Sequence, residues 1–281
     1  MSSSKLHSRR PWWSTLGIYA GLSLAAFIMV VPLLFSFVTA FKSPQDFASH
    51  SPFALPSPPS LASFQAILTG RVNFGDAIIT TLLMVVVMVV GQLVSSVLAA
   101  YAFARIEFPG REFIFWLFLG TMMIPASVLV IPLYLMMAKM GLNNTFWGIV
   151  LPFVFASPYA VFLLRQSFRQ IPQEIIDAAT MDGAGQIRIL FSIVVPVSKP
   201  IISTLVLITV VSQWNSFMWP RIIAATRPRV LTVATAALQS QYNANWTYVM
   251  AATTIALVPL IALFIVFQRH IVESIALTGI K

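Results

Sequence analysis

Residues 171–200 read IPQEIIDAATMDGAGQIRILFSIVVPVSKP, the longest polar interruption in the second half of a very apolar chain. Pro172 suits the first turn of a helix, where a missing N–H costs nothing. Glu174 and Asp177 fall in the early turns, where the helix dipole favours negative charge. Asp182-Gly183 and Gly185 read as a helix stop and a turn, and a second helical run from Gln186 ends at Pro196. The pattern predicts a short, ordered helix-turn-helix that lies between two membrane spans and outside the bilayer.

The rest of the chain sets that hairpin in a membrane. Of 281 residues, 58% are hydrophobic and 9% charged, against roughly 25% charged in soluble domains. Apolar runs of about 20 residues between short polar loops indicate spanning helices rather than barrel strands. The expected fold is therefore an all-α integral membrane protein with six transmembrane helices, at 13–40, 77–104, 113–137, 145–164, 200–219 and 246–267. A six-helix transmembrane core of 13–268, with its hairpin at 171–196, would be flanked by a short N-terminal segment (1–12) and a tail (269–281). Pro32, Pro125 and Pro132 predict kinked spans. The first apolar run continues to Ala40, too long for a cleaved signal core.

Basic residues orient the spans. Lys5, Arg9, Arg10, Arg105, Arg111, Arg165, Arg169, Arg188, Lys199, Arg269 and Lys281 fall on one side; Lys42, Arg71, Lys139, Arg221, Arg227 and Arg229 fall on the other. The positive-inside bias puts both termini and the hairpin in the cytoplasm. It also accounts for the net charge of +9 without nucleic acid, because the longest basic run is Arg9-Arg10. The outer loop 42–76 carries five prolines, so its first part should be extended; Leu61, Phe64 and Leu68 then sit at helical spacing. Asn143-Asn-Thr145 and Asn245-Trp-Thr247 read as chance sequons or as helix caps.

Several chemistries are excluded. With no cysteine there is no disulfide, thiolate metal site or cysteine nucleophile. Gly70-Arg-Val-Asn-Phe-Gly75 has phosphate-loop glycine spacing, but Asp76 and Ala77 stand where Lys and Ser/Thr are required. The three histidines are far apart, so no metal site or catalytic residue is expected. All eight acids lie in loops, at span ends or in the tail, which argues against a proton- or ion-coupled carrier.

Asp177-Ala178-Ala179, Gly183 and Ile193-Val194-Val195-Pro196 resemble the Glu-Ala-Ala loop of ATP-binding-cassette importer permeases. Asp177 replaces the usual Glu and shortens its reach by one methylene; Val195 replaces the usual Leu. The stretch from Ala100 to Arg111 (AYAFARIEFPGR) and Gln213–Pro220 (QWNSFMWP) resemble elements of the carbohydrate-uptake class, maltose-type second permease. The resemblance, from Pro32 to Gln268, implies the machine: a bacterial inner-membrane permease subunit, a homologous second permease, two ATPase subunits that bind ATP and Mg, and an extracytoplasmic solute-binding protein. This chain would itself hold no cofactor and catalyse nothing. Glu174, Asp177, Ala178, Ala179, Asp182 and Gly183 would couple to an ATPase subunit; the alternative is an ordinary amphipathic hairpin. Trp214 and Trp219 suit an interfacial aromatic belt, and with Asn215 are candidates for the solute path. Asn215 alternatively makes an interhelical hydrogen bond. Gln239, Gln241, Tyr242 and Asn243 are candidate contacts for the binding protein. The competing function is a self-contained secondary transporter or channel.

Overall fold

A computed structural model describes the backbone of residues 12–70, 73–241 and 245–278; the side chains of 12, 240, 241, 267 and 269–278 lie outside that description. All regular structure among the described residues is helical: α1 (Trp12–Ala40), α2 (Pro44–Ser49), α3 (Ala62–Thr69), α4 (Phe74–Arg105), α5 (Arg111–Gly120), α6 (Ala126–Lys139), α7 (Phe146–Val150), α8 (Pro158–Arg169), α9 (Gln173–Met181), α10 (Gln186–Ile189), α11 (Val195–Val197), α12 (Lys199–Trp214), α13 (Met218–Ile223), α14 (Leu231–Gln241) and α15 (Trp246–Thr278).

Three described helices are long and apolar enough to cross a membrane alone: Trp13–Ala40, Phe74–Arg105 and Trp246–Val266. Three further pairs reach that length and composition together but are bent: Arg111–Met123 with Ala126–Lys139 by 100°, Phe146–Phe153 with Pro158–Arg169 by 40°, and Gln186–Val197 with Lys199–Trp214 by 81°. The expected kink in the third apolar run is thus a break. Pro125 has no N–H to continue the helix and holds Ile124 extended (ψ 118°), so α5 ends in a 3₁₀ turn and α6 restarts with Pro125 as its cap. Pro32, Pro132 and Pro259 lie inside continuous helices.

The described residues form two compact units: those of 12–67 with those of 239–255, and those of 68–238 with 256–278. In the first, α1 exposes nearly all of its apolar surface. The loop after it is not extended at its start: Ser43 caps α2 by accepting the Asp46 N–H at 3.1 Å. Lys42 is fully buried, its Nζ donating to the carbonyls of Ser51 and Pro52 at 3.1 Å each. The helix predicted around Leu61–Leu68 is α3.

In the second unit α4 packs against α8 and α12. The irregular stretch between α7 and α8 also lies on α4. Its freed backbone groups find side-chain partners there: Gln92 Nε2 donates to the Phe153 carbonyl (3.3 Å), and the Ser157 N–H donates to Ser96 Oγ (3.1 Å). Gly91 permits the approach, since a Cβ there would sit 2.4 Å from Val154 Cγ2 and 2.7 Å from the Val154 carbonyl oxygen.

Candidate functional site

The segment between α8 and α12 folds as two helical arms joined by a turn. Pro172 is the N-cap of α9, in extended conformation, with Glu174 in the first turn. At the other end Gly183 has φ +80°, a left-handed conformation that a side chain disfavours. Its N–H donates to the Thr180 carbonyl and the Ala184 N–H to the Ala179 carbonyl, both at 3.0 Å, so the last carbonyls of α9 are satisfied by a Schellman turn. The second arm does not stop at Pro196 as its sequence suggests. The backbone widens into a π-turn over Leu190–Val194, with the Val195 N–H reaching the Leu190 carbonyl, and this carries the helix through Pro196 to Ser198.

One face of the hairpin is buried. Ile176, Ile189, Leu190 and Val194 join a core with Ala100, Tyr101, Phe115, Leu164 and Phe168, and Ala179 leans on it. The other face of α9 is bare: Glu174, Ile175, Asp177, Ala178 and Asp182 are exposed, and Met181 is 88% exposed. Gln173 Nε2 donates to Asp177 Oδ1 at 2.9 Å. Neither Glu174 nor Asp182 has an ion-pair partner among the described residues. The structure therefore brings the six hairpin candidates together on one short helix and its stop.

The C-terminal ends of α4 and α8 exchange arginines. Arg105, the last residue of α4, donates to the Phe168 carbonyl in the last turn of α8 (2.5 Å), to the Ile171 carbonyl, and to Gln173 Oε1 (2.6 Å); its Nε has no partner among the described residues. In return Arg165 of α8, only 3% exposed, donates through Nε to the Phe103 carbonyl in the last turn of α4 (3.1 Å). Arg165 also pairs with Glu112 and lies 3.9 Å over the Phe115 ring. A cation at a helix C-terminus satisfies free carbonyls and opposes the negative dipole end. Tyr101, one turn earlier on α4, donates its hydroxyl to Gln186 Oε1 at 2.6 Å.

The tryptophan element is placed differently from its sequence reading. Trp214 and Trp219 are buried, not on an outward belt, because each indole N–H finds a backbone carbonyl inside: Ala256 at 3.1 Å for Trp214, Gly148 and Ile149 at 3.2 Å for Trp219. Asn215 is exposed and makes no interhelical bond among the described residues; its Nδ2 donates to the Val211 carbonyl of its own helix at 2.8 Å. Trp219 lines an apolar cavity of about 600 Å³ together with Leu129, Leu133, Met136, Phe153 and Phe217; Trp214 and Asn215 do not. Gln239 is exposed near the end of α14. The backbone of α14 includes Gln241, while Tyr242 and Asn243 lie outside the described residues. Thr145 caps α7, accepting the Gly148 N–H at 3.0 Å.

Two groups escaped the sequence reading. The Arg165–Glu112 pair joins residues 53 apart and carries no spacing signal. Gln92 had one: it is an amide near the middle of a 32-residue apolar helix, where a polar group needs a partner. It bridges the Phe153 carbonyl and Thr209 Oγ1 (3.2 Å), joining α4, the α7–α8 break and α12.

Long apolar helices, bent apolar pairs and a polar hairpin bared on one face define a multi-pass membrane protein. Residues 92–276 match the family described as the binding-protein-dependent transport system inner membrane component, and the chain belongs to this family. It is 31% identical over 264 residues to the arabinooligosaccharides transport system permease protein AraQ of Halalkalibacterium halodurans, covering 93% of this chain and 94% of that one. It is 30% identical to the sn-glycerol-3-phosphate transport system permease protein UgpE of Yersinia pestis, covering 90% and 93%. The fold matches a chain of a bacterial ATP-binding-cassette transporter involved in import of the acidic polysaccharide alginate, with a TM-score of 0.81 at 23% identity, over 95% of this chain and 99% of that chain. The protein is accordingly a multi-pass component of the bacterial inner membrane that works in a binding-protein-dependent transport system.

Proposed function

We propose that this chain is a membrane-spanning permease subunit of an ATP-driven importer for a sugar or a related polar solute. Its six spans leave both termini and the 171–196 hairpin in the cytoplasm. It binds no nucleotide. Two ATPase subunits hold ATP and Mg, a homologous second permease completes the path, and an extracytoplasmic binding protein delivers the solute.

The observation that carries this reading is α9: a helix clamped to the core along Ile176 and left bare along Glu174, Asp177, Ala178, Met181 and Asp182. An exposed methionine beside small residues and acids with no ion-pair partner among the described residues suits a groove on a partner, with Ala178 allowing close approach and the acids meeting basic or N–H groups. Closure of the ATPase dimer moves α9, and the bundle switches between two discrete packings that open the path to either side. The names of the relatives support a saccharide or polyol phosphate as the solute. The exposed outer polar residues, with Gln239 among the described ones, are candidates for meeting the binding protein, and Trp214, Asn215 and Trp219 for bordering the path.

The test is reconstitution of this chain with its partner subunits in vesicles. Hydrolysis stimulated by one solute-loaded binding protein, with uptake, is expected; Ala178→Arg should abolish stimulation while the chain still inserts. Gradient-driven uptake by vesicles holding this chain alone would refute the assignment.

A further inference from the structure

We infer that Arg105 is the positioning residue of the coupling hairpin: it ties α9 to the end of α4, so that movement of α9 reaches the second span directly and not only along the chain through α8 and α12. The inference rests on the reading of α9 as the helix that docks on an ATPase.

The geometry of Arg105 is the first support. Its two terminal nitrogens take the Phe168 carbonyl, the Ile171 carbonyl and Gln173 Oε1. Those three acceptors run from the last turn of α8 to the first residue of α9, so one guanidinium holds the whole link that sets the angle of α9. Gln173 passes the contact on, since its Nε2 donates to Asp177 in the middle of α9. The planar fork divides the three acceptors between two separated nitrogens, whereas a lysine ammonium would have to meet all three from one nitrogen on a flexible stem.

The second support is the other arm. Tyr101, four residues before Arg105 on α4, bonds Gln186 at the start of α10. Both arms of the hairpin are therefore tied to one helix, with α9 suspended between the two ties. Beneath them, Ile176 and Ile189 are packed with Ala100 and Tyr101 in a common core. The third support is Arg165, which caps α4 from α8 and closes the same clasp in the opposite direction. A link anchored at both ends and packed beneath transmits displacement, whereas a loop free of α4 would absorb it.

The experiment uses the complete complex in vesicles and reads solute imported per ATP hydrolysed with saturating loaded binding protein. Arg105→Gln should leave insertion, assembly and binding-protein-stimulated hydrolysis in place and lower the ratio by about fivefold or more, a typical coupling between sites. Arg105→Lys should fall between Arg105→Gln and wild type. Tyr101→Phe, which removes one oxygen, should lower the ratio by a smaller factor, and it decides the matter if Arg105→Gln fails to assemble. An unchanged ratio in an assembled Arg105→Gln complex, or in Tyr101→Phe where Arg105→Gln does not assemble, overturns the inference.

A second measurement exploits the absence of cysteine from this chain. In a Tyr101→Cys, Gln186→Cys double variant, a short bis-maleimide restores the tie covalently and should raise uptake per ATP. Arrest of uptake by the crosslink would mean that the hairpin slides along α4 in each turnover, which also overturns the inference. If the wild-type complex shows no hydrolysis stimulated by a binding protein, it is the assignment of function that fails instead.

Discussion

Gly91→Ala is a change that would stabilise an isolated helix and should damage this one. In the interior of a helix, alanine is favoured over glycine by roughly 0.5–1 kcal/mol. At Gly91 the new Cβ would stand 2.4 Å from Val154 Cγ2 and 2.7 Å from the Val154 carbonyl oxygen, where carbon contacts settle at about 3.5–4.0 Å. The methyl of Val154 is on a branched side chain that is stiff at χ1. The oxygen is backbone, in a stretch held on either side by Gln92 to Phe153 and by Ser96 to Ser157. Relief requires α4 and the α7–α8 break to part by roughly 1 Å, loosening those two bonds. Overpacking of this kind costs about 1–3 kcal/mol, and each weakened bond about 1 kcal/mol, so the clash outweighs the helical gain. The assay is thermal inactivation of the purified complex in detergent, with Gly75→Ala in the same helix as control, because a Cβ there meets nothing within 4 Å. Gly91→Ala should lower the midpoint and Gly75→Ala should leave it unchanged or slightly higher. Equal midpoints for the two variants would refute the close approach of α4 to Val154.

Two further outcomes follow from the hairpin end. Gly183→Ala should cost about 1–2 kcal/mol in the same thermal assay, since the site has free space but φ +80°, whereas Gly120→Ala, with the same free space but a helical φ of −57°, should be neutral or slightly stabilising; equal effects would contradict the turn. In the Arg165–Glu112 pair the arginine is 3% and the glutamate 52% exposed. Removing the exposed partner therefore strands the buried charge. Glu112→Ala should be the more damaging change, at about 3 kcal/mol, and Arg165→Met the milder, at about 2 kcal/mol for the lost charged hydrogen bond to Phe103. The reverse order of thermal midpoints would refute the burial of Arg165.

The hairpin was legible because its determinants are local. A proline cap, early acids and a glycine stop within a dozen residues specify α9 and its turn without help from elsewhere. The aromatic element was legible in type and not in placement. An indole near a span end suits a membrane interface until a carbonyl in a neighbouring helix offers its N–H a partner, and for Trp219 that carbonyl belongs to residues about 70 positions earlier. The prolines show the same division. Pro32 and Pro259 pass through continuous helices, while Pro125 divides a pair bent by 100°. All three remove a donor; what differs is the residue before the proline, extended at Ile124 and helical before Pro32 and Pro259, which periodicity does not carry.

That difference bears on how such a permease can move. The breaks at Pro125, at 154–157 and at Ser198 divide the three bent pairs, whereas α4 runs unbroken from Phe74 to Arg105. α4 meets the α7–α8 break at Gly91, Gln92 and Ser96, meets α12 through Gln92 and Thr209, and holds both arms of the hairpin through Tyr101 and Arg105. A straight helix with polar ties at its middle and its end can carry a displacement along its length. The broken pairs can supply the change of angle; at the α7–α8 break the backbone groups already depend on side chains of α4 that can exchange partners. The residues tying α4 to its neighbours are therefore where substitution should alter coupling before it alters assembly, and Gln92, which bridges a break and α12 at once, stands midway between the hairpin end and the other end of that helix.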